Sequence, residues 1–127
     1  TQYLVNSPCF KEIYYYYGID YYEAISYNFK NKYYDMRALH LLCDHKKAFL
    51  LKIEYLFLNE YLTSIQYERL KKKCELIYHS SIINRNLFIK CKIAKSDESY
   101  IERVIKNLSE MKENDLDFCN DLLCVLQ

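Results

Sequence analysis

One glycine and one proline serve a chain of 127 residues. That scarcity constrains the fold more than any motif does. Folds made of short strands turn on glycine and proline, which supply positive or fixed φ. A chain nearly without both turns on Asn, Asp and Ser instead, and this suits helices joined by short loops. The rest of the composition is globular, 51% hydrophobic and 28% charged. Tyr, Asn, Ile and Lys are all abundant, as AT-rich coding produces, so the fifteen tyrosines carry no functional weight by number alone.

The expected fold class is therefore all-α: short antiparallel helix hairpins, in a single domain over residues 1–127. A chain of this size buries roughly two-thirds of its unfolded surface, enough for a core. It opens on Thr1 and stops inside an apolar stretch, Leu122 to Gln127, so a piece of a longer protein is expected. No apolar run reaches the ~18–20 residues of a spanning helix, and no signal-peptide pattern follows Thr1. The expected setting is intracellular, in the cytoplasm and off the membrane.

Caps divide the chain into seven or eight short helices. Ser7 and Pro8 are an N-cap and N1 pair, and Gly18 suits the stop of a helix that runs to Tyr17. Asp20 with Glu23 reads as a capping box; Tyr21, Ala24, Ile25 and Phe29 then face inward, and Asn31 ends the helix. Asp35 caps Met36 to Cys43, with Ala38, Leu39 and Leu42 inside, and Asp44 can cap His45 to Leu58. The last of these has Phe49, Leu50, Ile53, Leu56 and Phe57 on one broad face and is apolar nearly all round, which predicts a central position. Thr63 with Gln66 opens a helix to His79 that buries Tyr67, Leu70, Cys74 and Ile77. Residues 80–95 fit either a strand or a helix with Ile83, Leu87, Cys91 and Ala94 inward; helix is preferred for want of a partner strand. Ser96 or Ser99 caps a helix ending at Asn114, with Ile101, Val104, Ile105, Leu108 and Met111 as its stripe, and Asp115 begins the last, with Phe118, Leu122, Val125 and Leu126 inside.

A shift of 40 aligns the first hairpin with the central one, pairing Ile13 with Ile53, Asp20 with Glu60, Ile25 with Ile65 and Tyr27 with Tyr67. That spacing suits a stacked helix-turn-helix unit. The stretch Tyr17-Gly18-Ile19-Asp20-Tyr21-Tyr22-Glu23-Ala24-Ile25 resembles the middle of a tetratricopeptide or clathrin-type repeat. It departs from the tetratricopeptide pattern at Asn28 and Asn31, where an aromatic and an alanine are wanted. The resemblance implies an α-solenoid fragment (tetratricopeptide- or HEAT-like); the alternatives are an irregular helical bundle and an α+β domain.

Candidate chemistry is thin. The six cysteines include no CxxC pair and fall in apolar helical patterns, as reduced core thiols do. His40, Cys43, Asp44 and His45 form the densest group of ligand types, but at no standard zinc spacing. A single glycine leaves no phosphate-cradling loop. No catalytic residue, metal site or cofactor is expected, and the chain is expected not to be an enzyme.

Charge is uneven. Residues 69–95 carry 8 positive and 1 negative charge, net +7, and residues 96–127 carry 3 positive and 8 negative, net −5. The basic band comprises Arg69, Lys71, Lys72, Lys73, Arg85, Lys90, Lys92 and Lys95. The leading expectation is a non-enzymatic scaffold that binds another protein through exposed tyrosines, with Tyr14, Tyr15, Tyr22, Tyr33 and Tyr34 left over by the core faces. One alternative is nucleic-acid binding through the basic band, which the acidic end is positioned to neutralise. The other is a bundle wrapped round residues 49–58 in the layout of a Bcl-2-like regulator, which would grip a partner helix.

Overall fold

The computed structural model describes residues 19–94 and 99–127. They form four helices, α1 (Asp20–Lys30), α2 (Met36–Leu58), α3 (Ser64–Ala94) and α4 (Ser99–Leu126), with no strand among the described residues. The all-helical expectation holds, including 87–94, where strand spacing competed. The first expected helix, Ser7 to Tyr17 with its Gly18 stop, lies outside the described residues. Among those described, no helix is long and apolar enough to cross a membrane.

The helices are fewer and longer than the caps predict. Asp44, Ser80 and Asp115 were expected boundaries, yet each lies inside an unbroken helix. Inside a helix such residues cost at most ~0.7 kcal/mol relative to Ala. A new terminus would leave four backbone groups unpaired on each side. With a partner helix to pack against, continuing is cheaper than stopping.

Two expected caps form. Asp35 Oδ1 accepts from the Arg37 backbone N–H at 3.0 Å. Thr63 and Gln66 close a reciprocal box, at 2.9 and 3.2 Å. The Asp20–Glu23 box does not form: α1 begins behind Ile19 with no side-chain cap. Glu23 instead pairs with Lys112 of α4, an interhelix contact that competes with reaching back to the cap.

The ends of α1 and α2 are built alike. Tyr33 N–H bonds Asn28 O at 2.8 Å and Lys32 N–H bonds Phe29 O at 3.1 Å; Tyr61 and Glu60 make the same pair to Leu56 and Phe57, at 2.9 and 3.1 Å. These are Schellman motifs. Asn31 and Asn59 add a side-chain bond back to Tyr27 O and Tyr55 O, each at 2.8 Å. Each motif turns on a left-handed residue that is not glycine, Lys32 at φ 62° and Glu60 at φ 65°. The underlying pattern is Tyr-x-Phe-x-Asn-Lys/Glu-Tyr, at 27–33 and again at 55–61.

In the packing, α3 touches both α2 and α4, and α1 packs on α4. Arg69 meets Asp121, Lys73 meets Asp117 and Asn84 meets Val104, so α3 and α4 run antiparallel. The core joins Tyr22, Phe29, Leu39, Ile53, Leu70, Ile77, Phe88, Val104, Leu108 and Phe118. The expected inward residues Ile25, Phe29, Leu39, Leu42, Ile53, Leu70, Cys74 and Ile77 are buried.

Three expectations are corrected. Residues 49–58 are not central: Leu51, Tyr55 and Leu58 are exposed, and α3 occupies the middle. Ile83 points outward, because unbroken α3 keeps the phase of Leu70, Cys74 and Ile77 and so turns Ser81, Asn84 and Phe88 inward. The shift of 40 does not align environments either: Ile25 is buried and Ile65 exposed, while Asp20 starts a helix and Glu60 follows the end of one.

A left-handed residue with a Cβ costs roughly 1–2 kcal/mol, and glycine's extra chain entropy roughly 0.5–1 kcal/mol. Lys32→Gly and Glu60→Gly should therefore each raise stability by about 0.5–1 kcal/mol, read as a higher urea midpoint.

Candidate functional site

The most unusual chemistry lies inside the protein. Tyr22 of α1, Lys46 of α2 and Asp115 of α4 meet in the core. The Tyr22 hydroxyl donates to Asp115 Oδ2 at 2.8 Å, and the Lys46 ammonium pairs with the same oxygen. The Cys119 thiol donates to the other carboxylate oxygen at 3.6 Å. The ion-pair side chains are each 3% exposed. Lys46 Nζ also lies 5.3 Å from the Tyr22 ring centroid and 5.2 Å from that of Phe49, favourable ground for a cation.

This surrounding shifts its neighbours. Burial, reinforced by the Asp115 charge, pushes the Tyr22 hydroxyl well above the usual phenol range. Burial pushes the Cys74 thiol up to about 12, with Lys46 opposing. It pushes the Cys119 thiol up to about 11, with Asp115 adding. Burial first, and Lys46 second, lower His45 to about 4. Thiols held this high stay protonated at neutral pH and are poor nucleophiles. Tyr22, Lys46 and Asp115 are buried and satisfy one another, so the arrangement can hold three helices in register.

Tyr22 is thus a correction. Expected as an exposed, partner-facing tyrosine, it is 1% exposed, because its hydroxyl is the donor that a buried carboxylate requires. Tyr33 is exposed. Tyr34 is partly exposed, with its ring edge-on to Phe29 at 5.6 Å and tilted to Phe88 at 6.0 Å. Tyr14 and Tyr15 lie outside the described residues. Three exposed tyrosines escaped notice in the sequence: Tyr27, Tyr55 and Tyr61. With Tyr33 they are 63–68% exposed and flank the two Schellman ends. The repeated Tyr-x-Phe-x-Asn pattern was the signal that could have found them.

The basic band is broken up. Arg69 forks onto Asp121 at 2.8 and 2.9 Å, and this pair raises the guanidinium and lowers the carboxyl from their usual ranges. Lys73 reaches Asp117 at 2.8 Å and Asp121 at 3.2 Å. Lys71 lies 3.9 Å from Glu75. Lys92 sits over the Phe88 ring, 5.7 Å from its centroid. Arg85 is half-buried, its Nε without a hydrogen-bond partner among the described residues. Lys72 and Lys90 stand exposed, and Lys95 lies outside the described residues.

The His40–His45 group disperses. Cys43 is buried, His40 and Asp44 are exposed, and His45 is half-buried with its ring edge-on to Phe49. Among the described residues, no three His, Cys, Asp or Glu converge as metal ligands would. The cysteines described are free thiols: Cys43, Cys74 and Cys91 are buried, Cys119 half-buried and Cys124 exposed. An open cleft of about 1270 Å³ runs along α1 toward α2 and α4, past Tyr27, Arg37, Leu41 and Ile105. At its rim Arg37 pairs with Asp35 and Lys112 with Glu23.

Comparison with protein-family models, curated proteins and solved structures finds no match for this chain.

Removing one member of a buried ion pair strands the other and costs about 3–5 kcal/mol. Lys46→Met should lower unfolding stability by that amount. Adding Asp115→Leu and Tyr22→Phe removes the stranded groups and should recover most of the loss in the same urea titration. His45 makes a second test. The unfolded chain protonates histidine near pH 6.5, and the folded chain resists until about 4. The unfolded state therefore binds the extra proton, and stability falls as pH drops through that window. His45→Gln should flatten that part of the profile.

Proposed function

We propose that the chain is a helical module that binds another protein through exposed tyrosines at its helix corners. The carrying observation is the matched placement of Tyr27 and Tyr33 at the end of α1, and of Tyr55 and Tyr61 at the end of α2. A Schellman end fixes the backbone from which these rings project. Tyrosine suits such a surface: it offers a large apolar face and a hydroxyl handle at low entropic cost. Leu51, Leu58 and Ile65 are exposed near the second corner and extend its apolar area. The two corners stand at opposite ends of α2, roughly 33 Å apart at 1.5 Å per residue.

For the architecture beneath, a closed bundle is favoured over a solenoid fragment. In an open stack of hairpins, the first and last of four helices stand apart. Here α1 packs on α4, and Lys46 reaches from α2 to Asp115 of α4. The reading with a central, groove-forming helix loses its premise, since residues 49–58 carry an exposed face. Nucleic-acid binding loses support because Arg69, Lys71 and Lys73 already pair with carboxylates.

A photo-crosslinking residue placed at Tyr55 or Tyr61 tests the reading in cells. One discrete protein adduct is expected from the corner positions and not from Lys106, exposed on α4. Tyr55→Ser with Tyr61→Ser should weaken capture of that same protein from Tyr33 little, and from Leu58 by about tenfold or more. Equal adducts at Lys106, or none at any corner, would sink the proposal.

A further inference from the structure

α3 carries hydrophobic residues on its outer side as well as on the side that holds Leu70, Cys74, Ile77 and Phe88 in the core. Its inward positions include Ser81 and Asn84, both fully buried, while Ile65, Leu76, Ile83 and Ile93 are 55–79% exposed. The exposed residues fall in one line. Lys72, Leu76, His79, Ile83, Asn86, Lys90 and Ile93 are separated by steps of four and three, and every one is exposed. That is the 3.5-residue period of a helix-packing seam. Ile65 extends it by a further seven residues toward the start of α3.

The charges along the seam have one sign. The exposed charged residues of α3 are Arg69, Lys72, Lys90 and Lys92, against the single acid Glu68. A second copy laid along the same ridge would set cation against cation. A nucleic acid would find aliphatic side chains where it needs aromatic stacking platforms, since Tyr78 is half-buried and Phe88 fully buried. A line with Leu76 and Ile83 at its centre and a lysine beyond each of them, Lys72 and Lys90, is complementary to a helix that carries acids beside its own apolar stripe.

We propose that the outer ridge of α3 docks an acidic amphipathic helix, one with Leu or Ile at heptad spacing and Asp or Glu beside them. Leu76 and Ile83 supply the apolar centre of the contact. Lys72 and Lys90, which make no ion pair among the described residues, set the partner's charge and register. Ile65 lies where this ridge meets the second tyrosine corner, but Leu76, Ile83 and the two lysines lie beyond it along α3, so either surface can fail alone.

The probe is a synthetic 28-residue helix with Leu at positions a and d and Glu at e and g, kept below its self-association range. Fluorescence anisotropy reads its binding to the full chain. Support is saturable binding that weakens by at least about tenfold in each of three changes: Leu76→Ser with Ile83→Ser, Lys72→Glu with Lys90→Glu, and Lys in place of Glu on the peptide. The Tyr55→Ser, Tyr61→Ser chain should bind it unchanged. Far-ultraviolet circular dichroism checks that the variants keep their helices; these are surface positions, so folding should survive. A scrambled peptide that binds equally well would reduce the effect to bulk charge and overturn the proposal. So would a single-stranded oligonucleotide that binds more tightly and ignores Leu76→Ser and Ile83→Ser. Absence of binding by the acidic peptide would overturn it as well.

Discussion

A carboxylate buried in a helical core needs compensation from several directions at once, and Asp115 receives it from three elements. Lys46 brings the opposite charge from α2, Tyr22 a hydroxyl from α1, and Cys119 a thiol from one turn along α4. Desolvating two charges costs several kcal/mol per ion, which their attraction offsets only in good geometry. The network is therefore weak as a source of stability and strong as a constraint on arrangement. Apolar side chains tolerate a small slide between helices. A buried ion pair does not, because a slide leaves charge without a partner.

That constraint explains how a short helix holds its place. α1 has eleven residues, below the length at which an isolated helix is stable. Its packing on α4 is anchored near the start by Tyr22 and, beside it, by Glu23 to Lys112. Tyr21 adds a hydroxyl bond to Ala38 O in α2 at 2.9 Å. Polar anchors at three consecutive residues thus tie α1 to both neighbours, while Ile25 and Phe29 supply the apolar contact further along.

Much of the fold could be read from the chain, and the reasons for the failures are specific. Helical class followed from the missing glycines, and the inward faces of α2, α4 and the first half of α3 followed from spacing. Helix number did not, because Asp44, Ser80 and Asp115 carry the chemistry of a cap whether or not a helix stops there. Only tertiary partners decide, and for Asp115 the partner is 69 residues away. The candidate site was hidden by the same ambiguity. Tyr22 looked like surplus surface tyrosine and Asp115 like a boundary, and Lys46 carried no local mark at all. Nothing local marks three such residues as one cluster.

The same reasoning bears on the outward ridge of α3. Rotating α3 by one residue, about 100°, would bury Ile83 and look more economical. It would also remove Asn84 from Val104 O and from the Asn107 side chain, each at 3.3 Å, and leave the half-buried Asn107 amide without that acceptor. Nearer its start, the rotation would break Arg69 and Lys73 from Asp121 and Asp117. Ser81 would lose a burial in which its hydroxyl bonds Tyr78 O at 2.6 Å. Polar contacts at separate heights thus fix the phase of α3 against α4. Once that phase is fixed, Leu76 and Ile83 have to face out. The exposed ridge follows from how the interior is satisfied, and it gives the α3 surface a definite line of aliphatic and basic residues.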